Sequence, residues 1–194
     1  DNLRYTYQPQ NNIPMSCPIR LCVQPFLLSA GIIMFRTSGM ADEKTFHFRN
    51  EKVQSLLLEM GQQRSTGSLF TLIVNRLAQF PNISLARIWL IKNGDICPSC
   101  SLHDECLNQK ECLHLVASAG QSIFDSAVDW ARIDGDHRRF PLGARKVGHI
   151  AATGTPVIVK SISKDSKWIL HQDWAKREGI NGFAGQPMVY HGET

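Results

Sequence analysis

The chain has 194 residues, 43% of them hydrophobic and 20% charged. That composition suits one globular domain, or one domain with a tail, and excludes an intrinsically disordered chain. Its 21 basic and 17 acidic residues leave a net charge of +4, spread along the chain. Such spreading gives no concentrated basic face for nucleic acid.

Residues 1–40 read as an N-terminal extension outside the domain. They are poor in acidic residues and contain several prolines. The apolar run from Cys22 to Phe35 is interrupted by Gln24 and Pro25. It falls short of the roughly 20 residues a membrane-crossing helix needs. It reads as a tail or as upstream sequence, with a membrane-associated segment as the lesser alternative, and no membrane partner is expected.

From Asp42 onward the pattern becomes regular, and the domain is set at 41–194. Val53, Leu56, Leu57 and Met60 recur at helical spacing, and Gly61 stops the run. This helix is the expected output or homodimer helix. Thr66 or Ser68 caps a second helix with an apolar face of Leu69, Phe70, Ile73, Val74 and Leu77. Residues 84–92 alternate as a strand, and Asn93-Gly94 is a turn signal. Residues 113–119 read as the strand that pairs back onto it. Residues 125–138 are polar and irregular. A short helix spans 147–153, a short strand 156–159, short helices 164–178 and a last strand 183–190. Helices beside an antiparallel sheet make an α+β fold.

Six cysteines occur, and four fall in one stretch as Cys97-x2-Cys100-x5-Cys106-x5-Cys112. This stretch, 95–112, joins the two paired strands. Clustered thiols in a core-rich chain point to metal in a reducing, cytoplasmic compartment. Thiolates are soft, charged donors suited to zinc or to an iron–sulfur cluster. Both remain open, and His103 and His114 are substitute ligands. Asp95, Asp104, Glu105 and Glu111 read as solvated loop charges. Arg138-Arg139 and Arg145-Lys146 read as a solvated basic face. Cys17 and Cys22 are left outside the site.

Trp168, Trp174 and Phe183 are candidates for lining a small-molecule pocket beneath the sheet, although core packing accounts for aromatics at such spacing. No nucleophile, base and orienting group stand together, so the chain is not expected to be an enzyme.

The segment Leu142-Gly143 … Val147-Gly148-His149-Ile150-Ala151-Ala152-Thr153-Gly154-Thr155-Pro156-Val157-Ile158 resembles a signature of the GAF family. Glu178-Gly179-Ile180 … Phe183-Ala184-Gly185-Gln186-Pro187-Met188 … Gly192-Glu193 is similar to a later one. Leu85-Ala86-Arg87-Ile88-Trp89-Leu90, the four cysteines and Cys112-Leu113-His114-Leu115-Val116-Ala117-Ser118-Ala119-Gly120 resemble the N-terminal GAF domains of sigma-54-dependent, Fis-family activators. The resemblance implies a bacterial sensor of a small ligand, metal or redox state. It also implies an AAA+ ATPase and a DNA-binding partner domain elsewhere in a longer protein. The alternative is a structural zinc module that only mediates oligomerisation; a methionine-sulfoxide reductase of GAF type is a weaker third. GAF domains continue past the Gly-Glu pair with one more apolar strand, so the C-terminal strand reads as truncated.

Overall fold

The computed structural model describes residues 29–36, 50–107, 109–160 and 172–188. The described residues form six strands and four helices in the order β1 (Ser29–Arg36), α1 (Asn50–Gly61), α2 (Thr66–Ala78), β2 (Ile83–Asn93), β3 (Glu111–Gly120), β4 (Arg139–Pro141), α3 (Arg145–Thr153), β5 (Val157–Val159), α4 (Gln172–Arg177) and β6 (Ile180–Met188). The strands form one antiparallel sheet in the order β4-β3-β2-β1-β6-β5. The α+β class expected from the pattern is therefore present.

Local chemistry accounts for the boundaries. Ser65 caps α2, its hydroxyl accepting from the Ser68 backbone N–H at 3.1 Å. This is one residue upstream of the expected cap, and it satisfies an otherwise orphan first-turn donor. Gly154, at φ +63°, ends α3 in the left-handed region that glycine enters at little cost. Arg76 ties α2 to α1 through a two-pronged pair with Glu59.

The sheet buries both faces. On one, Ala86, Ile88, Ala117 and Ala119 pack beneath Val74 of α2. On the other, Trp89, Ile91, Leu113, Leu115 and Phe183 meet Val147, Ile150 and Ala151 of α3. A third cluster joins Leu85, Trp130, Ala175 and Ile180. Burying apolar side chains on this scale is the dominant stabilising term, roughly 25 cal/mol per Å² removed from water.

Two departures from the sequence reading have physical causes. First, residues 29–36 are not outside the domain: they form β1, paired with β2 on one edge and β6 on the other. The run from Gly31 to Phe35 carries no polar alternation, so a search for period-2 patterning passes over it. Second, Arg139–Pro141 pairs with Cys112–His114 as β4. Three residues are too few for any period to emerge. The final strand spans 180–188 rather than 183–190, and positions 189 and 190 lie outside the described residues. No helix among the described residues is long and apolar enough to cross a membrane.

Candidate metal centre

The loop between β2 and β3 is built to fold tightly. Gly94 donates its N–H to the Lys110 carbonyl at 2.8 Å, closing the base of the loop. Two single 3-10 turns follow, Cys97–Ser99 and His103–Glu105. Pro98 stands in the first of them, where its fixed φ suits a helical start. Gln109 enters the left-handed region at φ +51° to bring the chain back into β3.

These turns bring the four cysteines around one small cavity of about 20 Å³. His103, Asp95, Gln109, Glu111 and Arg139 complete its lining. That volume admits about one water-sized particle. All four thiols are free; Cys112 is buried and the other three are half-buried. Among the described residues no three Cys, His, Asp or Glu side chains are drawn together tightly enough to hold an ion. The Cys97 thiol instead faces the Gln109 carbonyl at 3.4 Å. The loop therefore assembles the donor set without converging it.

Charge around the cavity is organised. Arg139 grips Asp95 with both prongs, Nε to Oδ1 at 2.8 Å. That grip holds the Asp95 carboxyl well below the usual carboxylate range. Asp95 in turn raises Arg139 further. Burial pushes the Cys112 thiol up to about 11. Burial, then the nearby Arg139, lowers His114, whose Nε2 lies 2.9 Å from the Asn93 carbonyl.

Asp95 and Glu105 are not merely solvated, and Arg139 and Arg145 are not a free basic face. Glu105 accepts two prongs from Arg145, Nε to Oε2 at 2.8 Å. The acidic group of the loop and the basic group beyond it are each other's partners. Lys146 is buried, its ammonium 5.2 Å above the Phe183 ring. Ser101 also donates to the Asp136 carbonyl at 2.8 Å. No sequence signal marks these partners, because they depend on how β4 lies against β3.

The aromatic candidates do not form one group. Phe183 is buried in the cluster under α3, while Trp174 sits 5.6 Å from Trp130 in the other cluster. Met34 packs against both clusters. Trp168 lies outside the described residues. Cys17 and Cys22 do as well.

No family model, curated protein or solved structure matches this chain.

Proposed function

We propose that the chain is a regulatory sensor domain whose input is the four-cysteine loop, and that the loop takes a single zinc ion through Cys97, Cys100, Cys106 and Cys112. The observation that carries this is the gathering of four thiols around one cavity at the end of a rigid sheet. Both groups the spacing leaves open are held by four thiolates, and we take the single ion as the one to test first. When bound, zinc supplies a tetrahedral tie between the four thiolates.

The chain's own residues do the rest. The 3-10 turns set the positions of the donors, and Gly94 lets the loop close over them. Arg139 places positive charge beside a thiolate-rich site, which offsets its negative charge. The resemblance to activator sensor domains gives the proposal its output: an AAA+ ATPase and DNA-binding domain of a longer protein, with a homodimer through α1.

Purification without oxygen, metal analysis and an optical spectrum test the ion. One zinc per chain with no visible absorption is expected, and a Cys97→Ser, Cys112→Ser variant should lose it. Visible charge-transfer bands would replace zinc with a cluster, and the absence of any metal would overturn the site. A second reading, a purely structural zinc, is favoured by the burial of Cys112 against the core. Chelation separates the two readings. Loss of far-UV circular dichroism with the metal supports a structural ion, and a retained fold supports the sensor.

A further inference from the structure

The cysteine loop is strapped to the element that covers the sheet. Glu105 directly precedes Cys106, one of the four cavity-lining thiols. Its carboxylate is held by Arg145, the first residue of α3. Forked arginine–carboxylate pairs fix direction as well as distance. The pair thereby ties the turn His103–Glu105 to the start of a helix 40 residues further along the chain.

Arg145 is also the outlier of that helix. Its φ is +55°, one of two non-glycine residues in the left-handed region among the described residues. The other, Gln109, lies in the cysteine loop itself. Such backbone is uncommon for a side chain of this size and persists where surrounding contacts hold it. The preceding Ala144 provides no side-chain cap for α3. The first turn of α3 thus has no side-chain cap; the Glu105 grip on Arg145 adds to backbone bonds from Ala144 N–H to Pro141 and from Gly148 N–H to Ala144.

The helix leads into the core. Lys146, Val147, Gly148, Ile150 and Ala151 of α3 are buried against the sheet. Leu102, from the cysteine loop, packs against the same cluster. The loop thus meets α3 by an ion pair and shares with it the apolar cluster under the sheet.

We infer that the Glu105–Arg145 pair is a lever that transmits the state of the cysteine loop to α3, so that drawing the four thiols onto an ion resets the start of that helix. This rests on the zinc reading proposed above. Converging the thiols moves Cys106, Cys106 carries Glu105, and Glu105 re-aims Arg145. Arg145 then gains or loses its left-handed backbone, with α3 following as a unit. The ligand acts on the equilibrium through its different fit to the two loop arrangements. Because the pair is partly exposed to water, the coupling sits at the modest end, about two- to fivefold.

Hydrogen exchange of the full chain, zinc-free and zinc-loaded, tests this. Amides 148–153 should change their exchange about two- to fivefold on zinc addition, while those of α2 stay constant. Glu105→Gln should bind one zinc per chain yet leave α3 unresponsive. The paired reversal Glu105→Arg with Arg145→Glu should restore the response. If the unaltered chain binds no zinc, the zinc reading falls and takes the lever with it. If zinc binds and α3 does not respond, or responds equally in Glu105→Gln, the lever alone is overturned. It is also overturned if Glu105→Gln loses zinc, or if the paired reversal leaves α3 unresponsive.

Discussion

Replacing Gly94 by alanine probes the base of the cysteine loop. A Cβ built on Gly94 would stand 2.7 Å from the Cys97 sulfur and 2.9 Å from the Gln109 carbonyl oxygen. Real carbon atoms do not approach sulfur or oxygen so closely, so something must move. Cys97 has one rotatable bond to yield with. The Gln109 oxygen is backbone, in a residue already in the left-handed region. The next residue, Lys110, accepts the Gly94 N–H on its carbonyl at 2.8 Å, which leaves that backbone little room to move. Overpacking a closed site costs about 1–3 kcal/mol. At about 2 kcal/mol per molar urea, the midpoint should fall by about 1 M. Gly67→Ala is the internal contrast. It lies in the first turn of α2, with its nearest neighbouring atom 4.0 Å away. Alanine there should gain about 0.5–1 kcal/mol of helix preference. Urea titrations of the three proteins give opposite signs if the reasoning holds. A Gly94→Ala protein as stable as the parent would refute it, because the glycine would then be serving only as a turn residue.

Three further outcomes are expected. Glu178→Ala should destabilise by about 3 kcal/mol in thermal denaturation, because the buried carboxylate accepts from the Ser122 hydroxyl at 2.7 Å and the Ile123 N–H at 3.0 Å; an unchanged midpoint would refute that role. Arg87 donates to the Ser118 hydroxyl at 3.1 Å, has no carboxylate within ion-pair distance among the described residues, and is lowered to about 10 by burial. Arg87→Met should therefore match or exceed the parent in stability, as apolar replacements of desolvated charges often do, and a loss beyond about 2 kcal/mol would show an essential charge. Glu59 is held below the ordinary glutamate value, first by its hydrogen bond from Arg76. A carboxyl depressed in the folded state adds stability that is full above its unfolded value and lost as pH falls through the folded one. In a carboxyl titration by NMR, Arg76→Ala should raise Glu59 toward the ordinary value, the Ser55 hydroxyl still lowering it in part, and an unmoved titration would refute the assignment.

What was legible in the sequence followed physical periodicity. The α2 face of Phe70, Ile73, Val74 and Leu77 and the alternation through β2 each repeat often enough to be read. The cysteine spacing placed four thiols in one strand-joining loop, and the structure gathers them at one cavity. The unread parts have different causes. β1 was hidden because Gly31 to Phe35 carries no polar alternation. β4 was hidden because Arg139, Phe140 and Pro141 are too short a run. The pairs Asp95–Arg139 and Glu105–Arg145 join residues 44 and 40 positions apart. Nothing local marks them, because each charge looks solvated until the sheet folds its partner onto it. Gly94 reads as a turn residue in the sequence, whereas in the fold its missing side chain makes room for Cys97 and Gln109.

The position of β1 has a consequence for how quickly the domain is made. Its partner on one side, β6, begins at Ile180, so the sheet's middle ladder joins residues far apart in the chain. Pairings of such high contact order close late and fold slowly, since the chain loses loop entropy before the contacts reward it. During synthesis the ribosome releases β1 and β2 well before β6 exists. For that interval β1 has one unpaired edge, which is the situation in which nascent chains associate. Slow refolding, on the order of milliseconds to seconds rather than microseconds, is the kinetic signature expected of this topology.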